Sequence, residues 1–512
     1  MTRLLFAALL PLIMSASGEV RAAQPDALGN ADQTNEGGRP SLVISPNQFS
    51  PNDDGVRDEL KVVILATPGD FVTIRVYNSA GALVSTLAQD FQLDLARTEL
   101  AWDGFGPRGP GPSGVYTVKA SFRGPDNVVS TAKAVLDNSH KWPPLRFTAR
   151  PYFPIGVWFE GNPAWAGYPK DPSEAGRYYD RCFADLRAHG FNTVTVPNCP
   201  ESLWETLLGS AQRNGIKVVL EIAPLVALVS EKPVTESQVY AVAKRIHTKI
   251  GKYTSLVRYQ VRDEPGPALV SNWLLVQRIL AAVDPTRPAF SCFNSRDSLV
   301  EVVDSTKLSE AVFDIYPIGA GARAQSLGGF VAALDAFTDA AERNILWPVL
   351  QAFAKPSAWR YPTPEELRAM TYLSLAAGAR GVFYFLYQTM PNHPEKLEGL
   401  IDPQGAPTPM YAAASTLAKD LRQLSPLLMS LKPAASRSAP QGDLRVGNFI
   451  DAAGRPVLIV ASTRPDAPVT ARFKVDSDSA WRDEVTGESL TPRDSVLEVS
   501  LVPGGGRVLV RR

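Results

Sequence analysis

Acidic side chains lie just after one apolar run and within another in this sequence. Asp263 and Glu264 follow the run 257–262, and Asp314 lies inside the run 312–316. A neighbouring carboxylate raises the pKa of a carboxyl group, so one group can keep its proton near neutral pH while another is ionised. Together they can supply a proton donor and a base to a single reaction. The residue types therefore predict general acid–base chemistry, with Glu264, Asp263 and Asp314 as candidate catalytic residues.

Aromatic and polar side chains end several other apolar runs. Flat aromatic faces pack against sugar rings, and carboxyl or amide groups bind hydroxyls. A glycosidic bond breaks when a carboxylic acid protonates the leaving oxygen and a second group meets the positive charge that develops on the sugar carbon. The pattern predicts a poly- or oligosaccharide substrate. The candidate substrate-binding residues are Trp158, Glu160, Glu221, Tyr316, Gln351, Trp359 and Tyr387.

A repeated strand-and-helix pattern covers residues 150–430 and positions these side chains. Runs of strand length lie at 152–159, 192–196, 217–222, 257–262, 289–293, 312–316, 346–351 and 381–386. Helical stretches lie between most of them, at 174–189, 237–250, 271–283, 330–341 and 364–377. Eight strands predict a (β/α)8 barrel, whose active site forms at the carboxyl ends of the strands. The alternative is a doubly wound sheet, but the first strand is not followed by a Gly-rich phosphate loop.

Short alternating runs on both sides of the barrel segment predict two smaller β units. Residues 41–140 contain strand patterns separated by turns that carry Gly and Pro, which is typical of a β-sandwich. Residues 438–512 return to similar short runs and predict a small C-terminal β-sandwich. The sequence therefore predicts a multidomain protein.

The amino terminus has the composition of a targeting segment. Arg3 precedes an apolar stretch at 4–14, and small residues follow it. This pattern predicts a cleaved signal peptide over residues 1–23, and hence a secreted or periplasmic protein. Residues 24–40 are polar and Gly-rich, which favours a disordered leader. No later run reaches the length of about 20 apolar residues that a membrane-spanning helix requires.

Composition argues against several other classes of protein. Lys plus Arg and Asp plus Glu both number 52, and this balance disfavours a nucleic-acid-binding protein. Three cysteines are too few for a disulfide-stapled scaffold, and four scattered histidines disfavour a catalytic zinc site and a metal-dependent hydrolase. The sequence predicts no bound metal and no cofactor.

One motif of the barrel segment resembles a known family. The run YQVRDEP at 259–265 is similar to the fourth strand of clan-A glycoside hydrolases, in which a Glu before Pro is the acid/base. The resemblance covers residues 151–430 and implies that Glu264 donates the proton. It also implies a second carboxylate at the end of strand seven, where this sequence has Gln351.

The missing carboxylate leaves several mechanisms open. Asp263 with Glu264 resembles the pair of substrate-assisted hexosaminidases, in which the acetamido group of the sugar attacks. Alternatively, Glu264 as acid and Asp314 as base would invert the anomeric configuration. The nucleophile could instead be Glu160 or Glu221. A fourth alternative is a barrel that binds glycan without cleaving it.

The amino-terminal β segment carries a second resemblance. SPNDDG at 50–55, WDG at 102–104 and SGVY at 113–116 are similar to the Ig-like domain of flagellar hook-capping proteins, a module that is also attached to bacterial secreted enzymes. The resemblance implies an Ig-like β-sandwich at 41–140. The acidic loop is interpreted as an Asx turn, with a calcium site at Asp53, Asp54 and Asp58 as the alternative.

Overall fold

The computed structural model describes most of the chain from residue 39 onward. The described ranges are 39–49, 51, 59–106, 109–123, 127–136, 151–230, 232, 234–305, 310–322, 327–341, 345–434, 442–475 and 479–512. The predicted signal peptide, most of the predicted leader and the acidic loop with Asp53, Asp54 and Asp58 lie outside these residues. No helix among the described residues is long and apolar enough to cross a membrane.

In the described part of the amino-terminal region, the regular elements are all strands. They are β1 (Ser41–Ser45), β2 (Gln48–Phe49), β3 (Leu60–Leu65), β4 (Phe71–Tyr77), β5 (Leu83–Gln92), β6 (Arg97–Trp102), β7 (Phe105–Gly106), β8 (Gly109–Pro110), β9 (Gly114–Arg123) and β10 (Val129–Leu136). One sheet has the order β1-β3-β6 and another has the order β2-β10-β9-β4-β5. Alternate residues of both sheets form one apolar core, in which Trp102 packs between Phe49 and Tyr116. An Ig-like topology stays a prediction.

The central region contains a closed sheet of parallel strands. They are β11 (Ile155–Trp158), β12 (Thr193–Val196), β13 (Lys217–Glu221), β14 (Leu256–Gln260), β15 (Ala289–Phe290), β16 (Cys292–Phe293), β17 (Glu310–Ile315), β18 (Ile345–Gln351) and β19 (Val382–Phe385). The order is β15-β14-β13-β12-β11-β19-β18-β17-β16. Only Ser291 separates β15 from β16, so these two segments are one strand that pairs with β14 and then with β17. The prediction of a parallel barrel is confirmed, and the doubly wound alternative is wrong.

Helices surround this barrel. They are α1 (Pro163–Ala166), α2 (Pro172–Ala188), α3 (Trp204–Arg213), α4 (Ala223–Leu228), α5 (Glu236–Ile250), α6 (Val270–Val283), α7 (Arg296–Ser305), α8 (Gly328–Ala340), α9 (Pro364–Ala376) and α10 (Pro409–Ser430). Capping residues explain several starts: Asp171 caps α2, and Thr235 and Thr363 form capping boxes at α5 and α9. The five predicted helices are present, and no end of theirs differs from the prediction by more than two residues.

The barrel interior is closely packed. A Cβ atom on Gly156 of β11 would lie 2.3 Å from the ring of Phe383 in β19, so only glycine fits between these paired strands. Arg258 of β14 and Glu310 of β17 form a buried ion pair inside the barrel. The Arg258 guanidinium also lies 5.5 Å from the centre of the Trp347 ring. These contacts close the interior below the carboxyl ends of the strands.

The carboxyl-terminal region forms a second β unit. Its strands are β20 (Lys432–Pro433), β21 (Leu444–Ile450), β22 (Pro456–Ser462), β23 (Val469–Lys474), β24 (Trp481–Asp483), β25 (Ser489–Leu490), β26 (Val496–Leu501) and β27 (Gly506–Arg511). The order in one sheet is β20-β21-β22-β27-β24-β25, and β23 pairs with β26. A Cβ on Gly506 would lie 2.2 Å from the Tyr372 ring of α9, so this sheet packs directly on the barrel helices.

The amino-terminal strands contact barrel helix α6, whereas the carboxyl-terminal sheet contacts α9. The guanidinium of Arg278 in α6 lies 5.3 Å from the centre of the Phe105 ring in β7. A cavity of about 620 Å³ lies between these strands and the barrel helices. It is lined by residues 83–87 of β5 and 100–102 of β6 on one side, and by residues of α5 and α6 on the other. The amino-terminal unit therefore lies beside the barrel, on the side of its third and fourth strands.

Candidate active site

A cavity of about 340 Å³ lies at the carboxyl ends of the barrel strands. In a (β/α)8 barrel this end carries the residues that do chemistry, because the loops that follow the strands converge there. The described residues that line it are Trp158, Asp263, Glu264, Cys292, Asn294, Asp314, Tyr316, Phe353, Trp359, Phe385, Glu395 and Leu397. Six of these twelve are among the ten candidates taken from the sequence.

Asp263 and Glu264 both face this cavity. Strand β14 ends at Gln260, before the two carboxyl residues are reached. Glu264 has a φ of 45°, in the left-handed region, and its N–H donates to the Cys292 carbonyl at 2.9 Å. The Gln260 amide donates to Asp263 Oδ1 at 3.4 Å from below. The turn after β14 therefore brings two consecutive side chains to one cavity.

Asp314 reaches the same cavity from β17, which is separated from β14 by the single strand formed by β15 and β16. In β17 it follows Glu310 and Val312 on the alternate positions that point inward, which places it nearer the carboxyl end. Its Oδ1 atom is buried and has no hydrogen-bond partner among the described residues. Asp314 therefore presents an unsatisfied acceptor at the bottom of the cavity.

The three carboxyl groups have raised pKa values, and the extents differ. The surrounding protein raises the pKa of Glu264 to about 7, and the charges of Asp314 and Glu395 add to this effect. Burial raises the pKa of Asp314 to about 6, although Tyr316 and Cys292 hold it lower than burial alone would. The pKa of Asp263 is raised well above its usual range by limited solvation and by the charge of Glu264. Near neutral pH, Asp314 is therefore the most ionised of the three.

Aromatic rings form the walls of the cavity. Trp158 of β11 packs against Phe385 with ring centres 6.2 Å apart. On the other side, Tyr316 packs against Trp359 at 6.1 Å and against Phe353 at 5.0 Å. The walls are apolar and the carboxyl groups are concentrated at one side, which suits a sugar ring with a polar edge.

Two predicted binding residues, Glu160 and Glu221, lie behind the cavity and are absent from its lining. The Asn198 amide donates to Glu160 at 3.4 Å and the Asn198 N–H donates to Glu221 at 3.1 Å. Burial raises the pKa of Glu160 to about 8. The charge of Glu221 acts on Asp263, but the structure brings neither Glu160 nor Glu221 to the cavity lining.

Gln351 and Tyr387 also lie outside the cavity lining. The Gln351 side chain is fully buried, accepts from the Ile318 N–H at 2.9 Å and donates to the carbonyls of Ile318 and Arg360. The Tyr387 ring stacks on Phe159 among the barrel and helix side chains. Both residues hold loops or helices in place, so the prediction that they bind substrate is not supported by their contacts.

Six lining residues are not among the candidates predicted from the sequence. Cys292 and Phe385 occupy inward positions of their strands, which the period of two could have identified. Glu395 comes from the loop after β19, far from any strand end, and pairs with Lys355 at 2.9 Å. No local pattern marks such a residue. The remaining three are Asn294, Phe353 and Leu397.

Comparison with solved structures relates this fold to enzymes that act on sugars. The alpha-amylase of Geobacillus thermoleovorans complexed with acarbose has a TM-score of 0.50 at 11% identity, over 71% of this chain and 99% of that one. An alpha-amylase of Anoxybacillus has a TM-score of 0.47 at 10% identity, over 70% and 97%. A GH2 beta-galacturonidase of Eisenbergiella tayi bound to galacturonate has a TM-score of 0.41 at 14% identity, over 71% and 69%. No protein-family model and no curated protein sequence matches the chain.

Of these three structures, the Geobacillus alpha-amylase alone reaches a TM-score of 0.50, and at 11% identity its likeness concerns the fold alone. The class that the fold defines is a multidomain protein with a central parallel barrel and several β-sheet regions. The reaction that the protein could catalyse depends on the side chains that line the cavity. Among the residues that the structure describes, no group of three or more His, Cys, Asp or Glu side chains is arranged to hold a metal ion.

Proposed function

We propose that this chain hydrolyses O-glycosidic bonds of a poly- or oligosaccharide. One observation carries the proposal: Glu264 and Asp314 line one aromatic-walled cavity at the carboxyl ends of the barrel strands, and their pKa values are about 7 and about 6. Glycoside hydrolysis needs one protonated and one ionised carboxyl group beside the scissile bond. This cavity contains such a pair.

Glu264 acts as the general acid. Its pKa of about 7 keeps a substantial fraction protonated near neutral pH, so it can transfer a proton to the departing oxygen. The bond between the anomeric carbon and that oxygen breaks as the proton arrives. The positive charge that develops on the sugar ring then requires an anion nearby.

Asp314 supplies this anion and acts as the base that activates water. Its lower pKa of about 6 leaves it mostly ionised when Glu264 is still protonated in part. Water adds to the anomeric carbon and gives its proton to Asp314, so the products are a hemiacetal and an alcohol. This scheme predicts inversion of the anomeric configuration.

The alternative that uses a substrate acetamido group is less consistent with the charges. That mechanism requires an ionised aspartate beside the acid to stabilise the cyclic intermediate. The pKa of Asp263 is raised well above its usual range, so Asp263 is a poor anion at neutral pH. In the proposed mechanism, neutral Asp263 forms a hydrogen bond with a substrate hydroxyl.

A panel of aryl glycosides tests the proposed function. The purified full chain is incubated with neutral, N-acetylated, amino and uronic-acid aryl glycosides of both anomeric configurations, and release of the phenol is followed. Proton magnetic resonance of the first product formed then reports inversion or retention. Release from one series supports the proposal; no release from any substrate, together with no product from natural polysaccharides, contradicts it.

A second candidate function is glycan binding without hydrolysis. It is favoured by Gln351, which stands at the end of β18 where the clan-A resemblance implies a carboxylate and which is engaged by loop backbone. Glycan-array binding without any product after prolonged incubation would select this alternative.

Export of the chain is also part of the proposal. The positive start, the apolar stretch and the small residues of the first 23 positions support a cleaved signal peptide. Mass spectrometry of the protein secreted from a bacterial host is expected to give an amino terminus near Gln24. An uncleaved terminus at Met1 would contradict it.

A further inference from the structure

The charges around the cavity are unbalanced. Four of its lining residues are acidic, Asp263, Glu264, Asp314 and Glu395, and none of the described lining residues is Lys, Arg or His. Glu221 lies behind them and adds to the potential at Asp263. A site of this kind favours a ligand that carries positive charge and repels one that carries negative charge.

Two cations lie close to this group without cancelling it. Lys355 forms an ion pair with Glu395 at 2.9 Å, and its ammonium group also lies 5.7 Å from the centre of the Trp359 ring. Arg262 attracts Asp263 and Glu221, but the pKa values of both are raised despite its charge. Near neutral pH the uncompensated negative charge therefore lies on Asp314 and in part on Glu264, because the raised pKa of Asp263 makes that residue a poor anion.

Two buried acceptors and one buried donor at this side of the cavity, the donor being Arg262 Nε, have no hydrogen-bond partner among the described residues. Asp314 Oδ1 is buried without a partner among the described residues, and so is Gln260 Oε1, on the amide that donates to Asp263. Gln260 itself is fully buried. A buried acceptor without a donor is costly, and an ammonium group offers three donors and no acceptor.

The aromatic walls of the cavity also suit an ammonium group. Trp158, Tyr316 and Trp359 present aromatic rings to the cavity, and the face of an aromatic ring attracts a cation. Neutral hydroxyls would also bind here, but they leave the negative charge uncompensated. A uronate would place another carboxylate beside the acidic residues.

We infer that the cavity selects hexosamine units whose 2-amino group is free and charged, in preference to N-acetylated, neutral or uronic-acid units. This inference deepens the proposed function, and its hydrolytic step rests on that function. The predicted binding preference does not depend on hydrolysis. The ammonium group would lie towards the carboxylate of Asp314, and the ring between the aromatic walls.

Binding and turnover are measured separately to test this. The full chain is titrated calorimetrically with methyl glycosides of glucosamine and galactosamine, their N-acetyl forms, the parent hexoses and the uronic acids. We expect the better amino glycoside to bind about tenfold more tightly than its N-acetyl form, and this ratio to fall as salt screens the charges. Equal affinities, or tighter binding of an N-acetylated, neutral or acidic sugar, would overturn the inference.

Two variants test whether the preference for amino over N-acetyl sugars comes from the cavity. Asp314→Asn removes one carboxylate from the site and is expected to reduce the ratio of amino to N-acetyl affinity. Asp297→Asn is the matched control, because its side chain is 86% exposed in α7 and outside the cavity lining. Comparable loss of the ratio in both variants would show a general charge effect and overturn the inference.

Parallel turnover with the aryl glycoside panel separates the two proposals. Hydrolysis of neutral or N-acetylated substrates without an amino preference overturns the inference and leaves the proposed function intact. Selective binding of amino sugars without hydrolysis supports the inference and removes the hydrolytic step. Neither binding nor hydrolysis of any sugar would overturn both.

Discussion

Asp263 and Glu264 are adjacent in sequence, yet their side chains line the same cavity. In a continuing strand, consecutive side chains would point to opposite faces. Here the strand ends at Gln260, and Glu264 adopts a φ of 45° while its N–H is held by the Cys292 carbonyl. The carboxyl pair is therefore a product of the turn after the fourth strand, and its electrostatic coupling depends on that turn.

Replacement of Glu264 by Gln is expected to lower kcat by about 10²–10⁴-fold for substrates with a poor leaving group, because the proton donor is lost. The loss should be much smaller for a dinitrophenyl glycoside, whose leaving group needs little protonation. Steady-state kinetics on the two substrates measure the difference. Far-ultraviolet circular dichroism is the control that the fold is kept. An equal loss on both substrates would contradict the role of Glu264 as acid.

The pH dependence of kcat/KM is expected to be bell-shaped. Asp314, with a pKa of about 6, must be ionised, so activity falls as pH decreases through that value. Glu264, with a pKa of about 7, must be protonated, so activity falls as pH increases through that value. The profile is measured with a neutral aryl glycoside at constant ionic strength. A rate that keeps rising well above neutral pH would contradict the assignment.

Replacement of Gln351 by Glu would put a carboxylate at the end of the seventh strand, where the clan-A resemblance implies one. No gain in activity is expected from this change. A glutamate lacks the N–H groups that Gln351 donates to the carbonyls of Ile318 and Arg360. We expect the free energy of unfolding to fall by about 1–3 kcal/mol in urea titrations at neutral pH. Gln404→Glu, on an exposed turn, is the matched control and should change it little. Increased activity in Gln351→Glu would refute the structural role of Gln351.

The buried ion pair between Arg258 and Glu310 gives a test of the barrel interior. Glu310→Ala leaves the Arg258 charge buried without its partner, and should cost about 3–5 kcal/mol of stability. Glu498→Ala removes the partner of Arg472 in an exposed pair, and should cost about 0–1 kcal/mol. Chemical denaturation of both variants measures the contrast. Similar losses in the two variants would contradict the buried pairing.

Much of the barrel could be predicted from the sequence. The apolar runs and capping residues that define its strands and helices are local features, and hydrophobic periodicity identifies them without knowledge of the fold. The same runs predicted which end of each strand would carry polar side chains. For Asp263, Glu264, Asp314 and three aromatic residues, that was sufficient to predict a shared cavity.

Other features were decided only by the tertiary structure. Gln351 faces loop backbone because residues 318 and 360 meet around it, and Glu395 enters the cavity from a loop with no periodic pattern. The raised pKa values likewise depend on which charges come together, and Asp263 and Asp314 are close because β14 and β17 both pair with the strand formed by β15 and β16. Sequence by itself determined the elements, because their signals are local. The tertiary structure decided the charges and contacts of the site, because those arise between residues far apart in the chain.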